Sequence, residues 1–217
     1  MKRLWARILS VLIVCVANIG WAGWLTYRWK NAGTLISIKN ASSDLIGIFV
    51  QNLLISAVTI LFFLICMIVL RGKIWDELYL KVKGKKQWII MVLLMLVFVG
   101  RAVYAMFMDG DVKTALYKVF YYLLIIAFEE EFIVRGLCTR LLKDEKAVIR
   151  YLIPNVMFAL MHVFSFYGWG EVNAELVLRF MTSQVPGYLI MGCFLLFLKE
   201  KSGTIWIPVM VHAILDY

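Results

Sequence analysis

Residues 114–142 read TALYKVFYYLLIIAFEEEFIVRGLCTRLL. A helix needs about 20 apolar residues to cross the hydrocarbon core of a bilayer, and this stretch is long and apolar enough to do so. Yet it carries three consecutive acids, Glu129, Glu130 and Glu131, with Arg135 one turn beyond. An ionisable group at membrane depth is costly unless it pairs, faces water or performs chemistry. The segment therefore predicts a membrane helix and marks a site on it.

The rest of the chain has the same character. Its 217 residues are 63% hydrophobic with a mean hydropathy of +0.85, against about 45–50% apolar residues in a soluble domain. The expected fold is all-α, a polytopic membrane protein of about seven transmembrane helices. Apolar windows fall roughly at 5–27, 45–70, 87–108, 114–142, 148–167, 176–198 and 204–217. Residues 1–113 form three N-terminal spans with a basic loop at 71–86, read as a solvated segment. Residues 114–217 form a helix bundle that holds the chemistry. The last window is short and reaches only part of the way across by its length. The first has a basic start (Lys2, Arg3, Arg7), but its apolar run exceeds the usual h-region of about 7–15 residues, so a retained anchor is expected.

The formal charge of +9 is spread over short loops, which argues for membrane topology and against nucleic acid as a partner. Fifteen Lys and Arg lie on one set of alternate segments: three at the N-terminus, six in 71–86, four from Arg140 to Arg150 and two in 199–203. The other set holds four. The positive-inside rule then places the N-terminus in the cytoplasm. Cys15, Cys66, Cys138 and Cys193 lack paired spacing and read as small apolar residues, not a disulfide framework or zinc site. Trp21, Trp24, Trp29, Trp88, Trp169 and Trp206 sit near span ends as interfacial anchors. Arg101, Lys118 and Arg179 are explained by snorkelling or salt bridging.

The two histidines of the chain, His162 and His212, also lie in apolar windows. Imidazoles and carboxylates are the groups that move protons or hold a hydrolytic metal. The 114–142 and 148–167 windows make a hairpin turning near Lys143–Lys146. Glu130 stands roughly 15 residues before the centre of that turn and His162 roughly 17 after it, so both reach a depth of roughly 20 Å at the helical rise. His212 reaches a similar depth from the next turn. Within helices, Glu131 and Arg135 are spaced to pair, Phe158 shares a face with His162, and Asp216 shares one with His212. Three successive glutamates fan out about 100° apart and cannot all enter one site. Arg135 selects Glu130 and Glu131 as the functional pair, which leaves Glu129 as an interhelical or cavity-facing residue.

The strings Glu130-Glu131-x-x-x-Arg135, Phe158-x-x-x-His162 and His212-x-x-x-Asp216, in this order, resemble the CPBP family, the CAAX-protease and bacteriocin-processing (Abi) intramembrane proteases. The resemblance covers roughly residues 115–217. It implies peptide-bond hydrolysis in the membrane, on a hydrophobic, lipidated or membrane-associated peptide. The short chain and its loops, without eukaryote-type insertions or a retention signal, lead to the expectation of a prokaryotic plasma membrane. The resemblance further implies that Glu130 and His162 activate water, and that His212 and Asp216 stabilise the oxyanion or coordinate metal. Glu131, Arg135 and Phe158 support them. Two versions stay open. In one, Glu130, His162 and His212 bind zinc and Glu131 is the base. In the other there is no cofactor, Glu130 is the base, and His212 is the electrophilic contact. Rival functions are a non-catalytic membrane regulator or bacteriocin-immunity protein that binds a partner in the same cavity, and a proton-coupled transporter. The lack of repeat symmetry disfavours the transporter.

Overall fold

The computed structural model describes residues 2–163 and 173–217, and every regular element among them is helical. The end of the 148–167 window and Trp169 lie outside the described residues. Helix α1 spans Lys2–Asn31, followed by a 3₁₀ turn at Ile38–Ser43. Helices α2 (Leu45–Ile55) and α3 (Ala57–Leu70) meet at a 52° bend. At the bend, the Ser56 hydroxyl donates back to Asn52 O at 2.8 Å, a bond from side chain to preceding turn that bends helices. A short α4 (Ile74–Glu77) precedes the long α5 (Lys85–Asp109).

Helix α6 starts at Val112–Phe120, becomes π-helical at Tyr121–Phe128 and Glu131–Cys138, and closes with Thr139–Leu141. Helix α7 is Ala147–Met161. Helix α8 joins Ala174–Arg179, a π segment at Phe180–Gln184, and Val185–Ser202. Helix α9 is Trp206–Asp216.

Among the described residues, three helices are long and apolar enough to cross a membrane, Arg3–Asn31, Lys85–Met108 and Ala174–Ser202, or four with the bent α2–α3 pair taken as one span. That falls short of the seven expected. Helix α7 has 15 residues and α9 has 11, against the roughly 17–25 of a full crossing. The exterior is apolar, with Ile68, Phe107 and Ile190 all more than 70% exposed. Such a surface belongs in lipid, and the chain is an integral membrane protein.

Four segments meet at one end of the bundle. Arg7 of α1 pairs with Asp144 at 2.7 Å and Glu145 at 2.6 Å in the α6–α7 turn. Arg140 donates to Glu77 at 3.0 Å. In the 71–86 loop, Tyr79 O accepts from Ile205 N at 2.8 Å, and Leu80 O accepts from the Trp206 indole at 2.9 Å. Ile74, Leu78 and Leu80 are buried. The loop is therefore not a solvated basic tether, because its apolar residues seat the start of α9. Tyr79 holds a φ of +58° there, a left-handed conformation that costs a non-glycine residue about 1–2 kcal/mol. Trp206 stacks on Phe128 at 5.4 Å between centroids, so it packs into the bundle and is not a simple interfacial anchor.

Helices α5, α8 and α9 bring the last histidine into the core. Arg101 of α5 donates to Ile214 O at 2.6 Å, and Phe98 meets the Tyr217 ring edge-on at 5.4 Å. Gly203, with φ +70°, lets α8 end and the chain turn at once into α9.

Candidate active site

The acidic run falls where α6 changes its winding. Glu129 and Glu130 sit between the two π segments, where hydrogen bonds run to the fifth residue back instead of the fourth. Such widened turns re-aim side chains and recur at functional sites. The carbonyl of Arg135 inside the second π segment is held by two donors. Lys199 Nζ donates to it at 2.5 Å, and the Thr139 hydroxyl also donates to it. Lys199 is itself buried, with Thr139 Oγ1 at 2.8 Å and its ammonium 4.3 Å over the Tyr79 ring.

The sequence-derived residues come together. Glu130 Oε2 lies 3.8 Å from His162 Nε2 and 3.7 Å from His212 Nε2. Asp216 Oδ2 is 3.3 Å from the same His212 nitrogen. On the other side of that ring, Nδ1 faces Glu131 Oε1 at 3.0 Å. The same Glu131 oxygen is 3.0 Å from Arg135 Nη1, with both side chains fully buried. Glu131 thus bridges an arginine and a histidine. Among neighbouring side chains, the sequence had paired it only with the arginine.

Phe158 stands at the centre of the support. Its ring carries the Arg135 guanidinium at 4.1 Å and meets the edges of His162 at 4.7 Å and His212 at 6.1 Å. Its carbonyl lies 2.8 Å from His162 Nδ1. With Nδ1–H donated there, Nε2 is the ring nitrogen that faces Glu130. Tyr188 stacks on His162 at 3.9 Å with a 22° interplanar angle. No sequence signal marked Tyr188 apart from its place just after Pro186 and Gly187.

Glu130 and His162 open into a cavity of about 230 Å³, whose far wall is Asn18, Ala22 and Thr26 of α1 with Asn52 of α2. The i, i+4, i+8 spacing puts the three α1 residues on one face. Glu129 lines this cavity and a neighbouring apolar one of about 320 Å³, formed with Ile60, Phe63, Phe120, Leu124 and Phe128. Its Oε2 accepts from the Thr59 hydroxyl at 3.1 Å, and Asn18 donates to Thr59 at 2.6 Å. Glu129 is therefore interhelical and cavity-facing at once.

Among the described residues, no three His, Cys, Asp or Glu side chains are disposed to hold a metal ion. His212 turns each ring nitrogen to a carboxylate oxygen, Glu131 at 3.0 Å and Asp216 at 3.3 Å. That suits N–H donation from both sides, whereas a metal ligand must present a lone pair.

No curated protein and no solved structure matches the chain. Residues 112–217, which hold α6 to α9 and every residue of the cluster, match the family model described as type II CAAX prenyl endopeptidase Rce1-like. This C-terminal part of the chain is similar to that protease family.

Proposed function

We propose that the protein is an intramembrane endopeptidase in which Glu130 activates water against a peptide carbonyl. The observation that carries this reading is the position of Glu130 Oε2, nearly equidistant from two imidazole Nε2 atoms and open to a cavity at membrane depth. A water held between Glu130 and His162 gives its proton to Glu130, and its oxygen attacks the carbonyl carbon. The carbonyl π electrons move to oxygen, where the His212 Nε2–H receives the developing charge. Collapse of the adduct breaks the C–N bond, and the leaving amine takes the proton from Glu130. A positioned general base contributes about 10²–10⁴ in rate, and one oxyanion donor about 10²–10³.

In this reading Asp216 and Glu131 orient His212, and no metal takes part. Hydrolysis at membrane depth suits a hydrophobic or prenylated peptide, whose chain the apolar cavity beside Glu129 would accommodate. The basic end, with the N-terminus, faces the cytoplasm, and α6, α7 and α9 join the long helices within the bilayer to make seven membrane-embedded segments.

The experiment compares membrane peptides from cells carrying wild type or Glu130→Gln, together with cleavage of a farnesylated CAAX peptide by the two reconstituted proteins. Peptides that change length, with in vitro turnover lost in the variant, are expected. An unchanged peptide pool and no turnover by wild type would favour the non-catalytic regulator instead.

A further inference from the structure

Separate from the cavity at Glu130, a groove of about 610 Å³ lies between the start of α5 and the α8–α9 turn. Volumes of roughly 300–1,000 Å³ are typical of ligand sites. It is lined by Lys83, Lys86 and Lys201 and by the apolar Ile90, Leu198 and Ile207. Lys83 is partly neutralised by Asp76 at 2.6 Å, which leaves Lys86 and Lys201 as the dominant charges. The groove is built, not incidental. Gln87 accepts from Lys83 N at 2.6 Å and Gly84 N at 3.1 Å, and its amide donates to Ser202 O, tying α5 to the end of α8. The positive end of the 25-residue α5 dipole points the same way.

Lysines around an apolar trough at the end of membrane helices match one ligand shape, a phosphate attached to a hydrocarbon chain. We infer that this groove binds an anionic phospholipid, with its phosphate between Lys86 and Lys201 and an acyl chain along Ile90 and Leu198. Basic pockets between membrane helices select such headgroups, at about 1 kcal/mol per lysine near the surface. Ile207 belongs to the first turn of α9, the helix that carries His212. The bound lipid therefore clamps the turn that seats the histidine.

The test is native mass spectrometry of the full chain from nanodiscs that mix phosphatidylglycerol and phosphatidylcholine. Wild type should retain phosphatidylglycerol selectively. Lys86→Gln/Lys201→Gln should lose that preference by roughly tenfold or more. Lys39→Gln/Lys113→Gln, which removes equal charge at the opposite end, should keep it. Excess inorganic phosphate or glycerophosphoglycerol should displace the lipid poorly, because neither fills the trough. Equal retention by the Lys86/Lys201 variant, or equal loss in the control, would overturn the assignment. Full displacement by phosphate alone would overturn it too, leaving a phosphate site without a lipid. The readout is binding, so its outcome is independent of peptidase activity.

Discussion

His212 Nδ1 and Glu131 Oε1 lie 3.0 Å apart, and that oxygen is equally close to Arg135 Nη1. A single buried carboxylate oxygen therefore accepts from the imidazole Nδ1–H while balancing an arginine. Removing one member of a buried pair leaves the other uncompensated, at about 3–5 kcal/mol. Glu131→Ala should destabilise the protein by that order. Glu131→Gln keeps an acceptor for the ring and should fold, yet it weakens the charge behind His212. Its kcat should fall about 10²-fold with little change in KM, in the range of a lost oxyanion contact. Thermal unfolding with steady-state rates checks both, and equal kcat in Glu131→Gln and wild type would remove Glu131 from the mechanism.

The part of this site that depends on helical periodicity was legible in the sequence. Glu131 with Arg135 and Phe158 with His162 follow from i, i+4 spacing, and the level of Glu130 with His162 follows from counting residues from their turn. What escaped was set by tertiary packing. The contact of His212 with Glu131, the stack of Tyr188 on His162, and the burial of Lys199 against the Arg135 carbonyl each join separate helices with no fixed sequence offset. The burial of Leu78 and Leu80 was hidden because six basic residues around them dominate the composition of that loop. The windows and the long helices differ in number because a hydropathy window registers apolar content, not how long a helix stays straight, and α6 rewinds twice while α9 has 11 residues.

Tyr188 is a positioning residue, since it stacks on His162, the ring whose Nε2 faces Glu130. Aromatic stacking contributes about 0.5–1.5 kcal/mol beyond burial. Tyr188→Phe should retain near wild-type kcat. Tyr188→Leu should lower kcat about tenfold without a comparable fall in Tm. A matching loss in both variants would mean that the hydroxyl acts, and the stack does not.

Gly192 packs α8 against α7 so closely that an added Cβ would lie 2.5 Å from Asn155 Oδ1 and 3.1 Å from Arg135 Nη2. Both neighbours are buried, Asn155 at 1% exposure and Arg135 at 0%. Gly192→Ala should cost about 1–3 kcal/mol, as overpacking does, and should lower activity through Arg135. Asn155→Ala in the same chain should recover part of the lost Tm. An undiminished Tm in Gly192→Ala would show that α8 shifts freely.

At the opposite end from the basic loops, Asp111 caps α6, accepting from Thr114 N at 3.0 Å. Hydrogen bonds from the Ser42 and Thr114 side chains hold its carboxyl at about 2, below the ordinary 3.8. Because the folded value is depressed, its stabilisation is fully present above 3.8 and is lost as pH falls toward 2. Asp111→Asn should flatten that acid limb of the stability curve and leave neutral-pH stability nearly unchanged, since asparagine caps as well. An identical acid limb in both proteins would place the titration elsewhere.

The metal question turns on one nitrogen. For His212 to bind zinc through Nε2, that atom would have to offer a lone pair where Asp216 Oδ2 now stands 3.3 Å away, and a lone pair facing a carboxylate is repulsive. In the proposed metal-free reading Nε2 carries a proton besides the one that Nδ1 donates to Glu131, and the ring is a donor to the oxyanion. Purified enzyme dialysed against chelator should therefore keep its full turnover, with metal content far below one equivalent. Activity that disappears with chelator and returns in proportion to added zinc would require the imidazole to turn away from Asp216. In that case Asp216→Asn should raise zinc affinity by relieving competition for Nε2, whereas in the metal-free enzyme it should leave zinc affinity negligible and reduce only kcat.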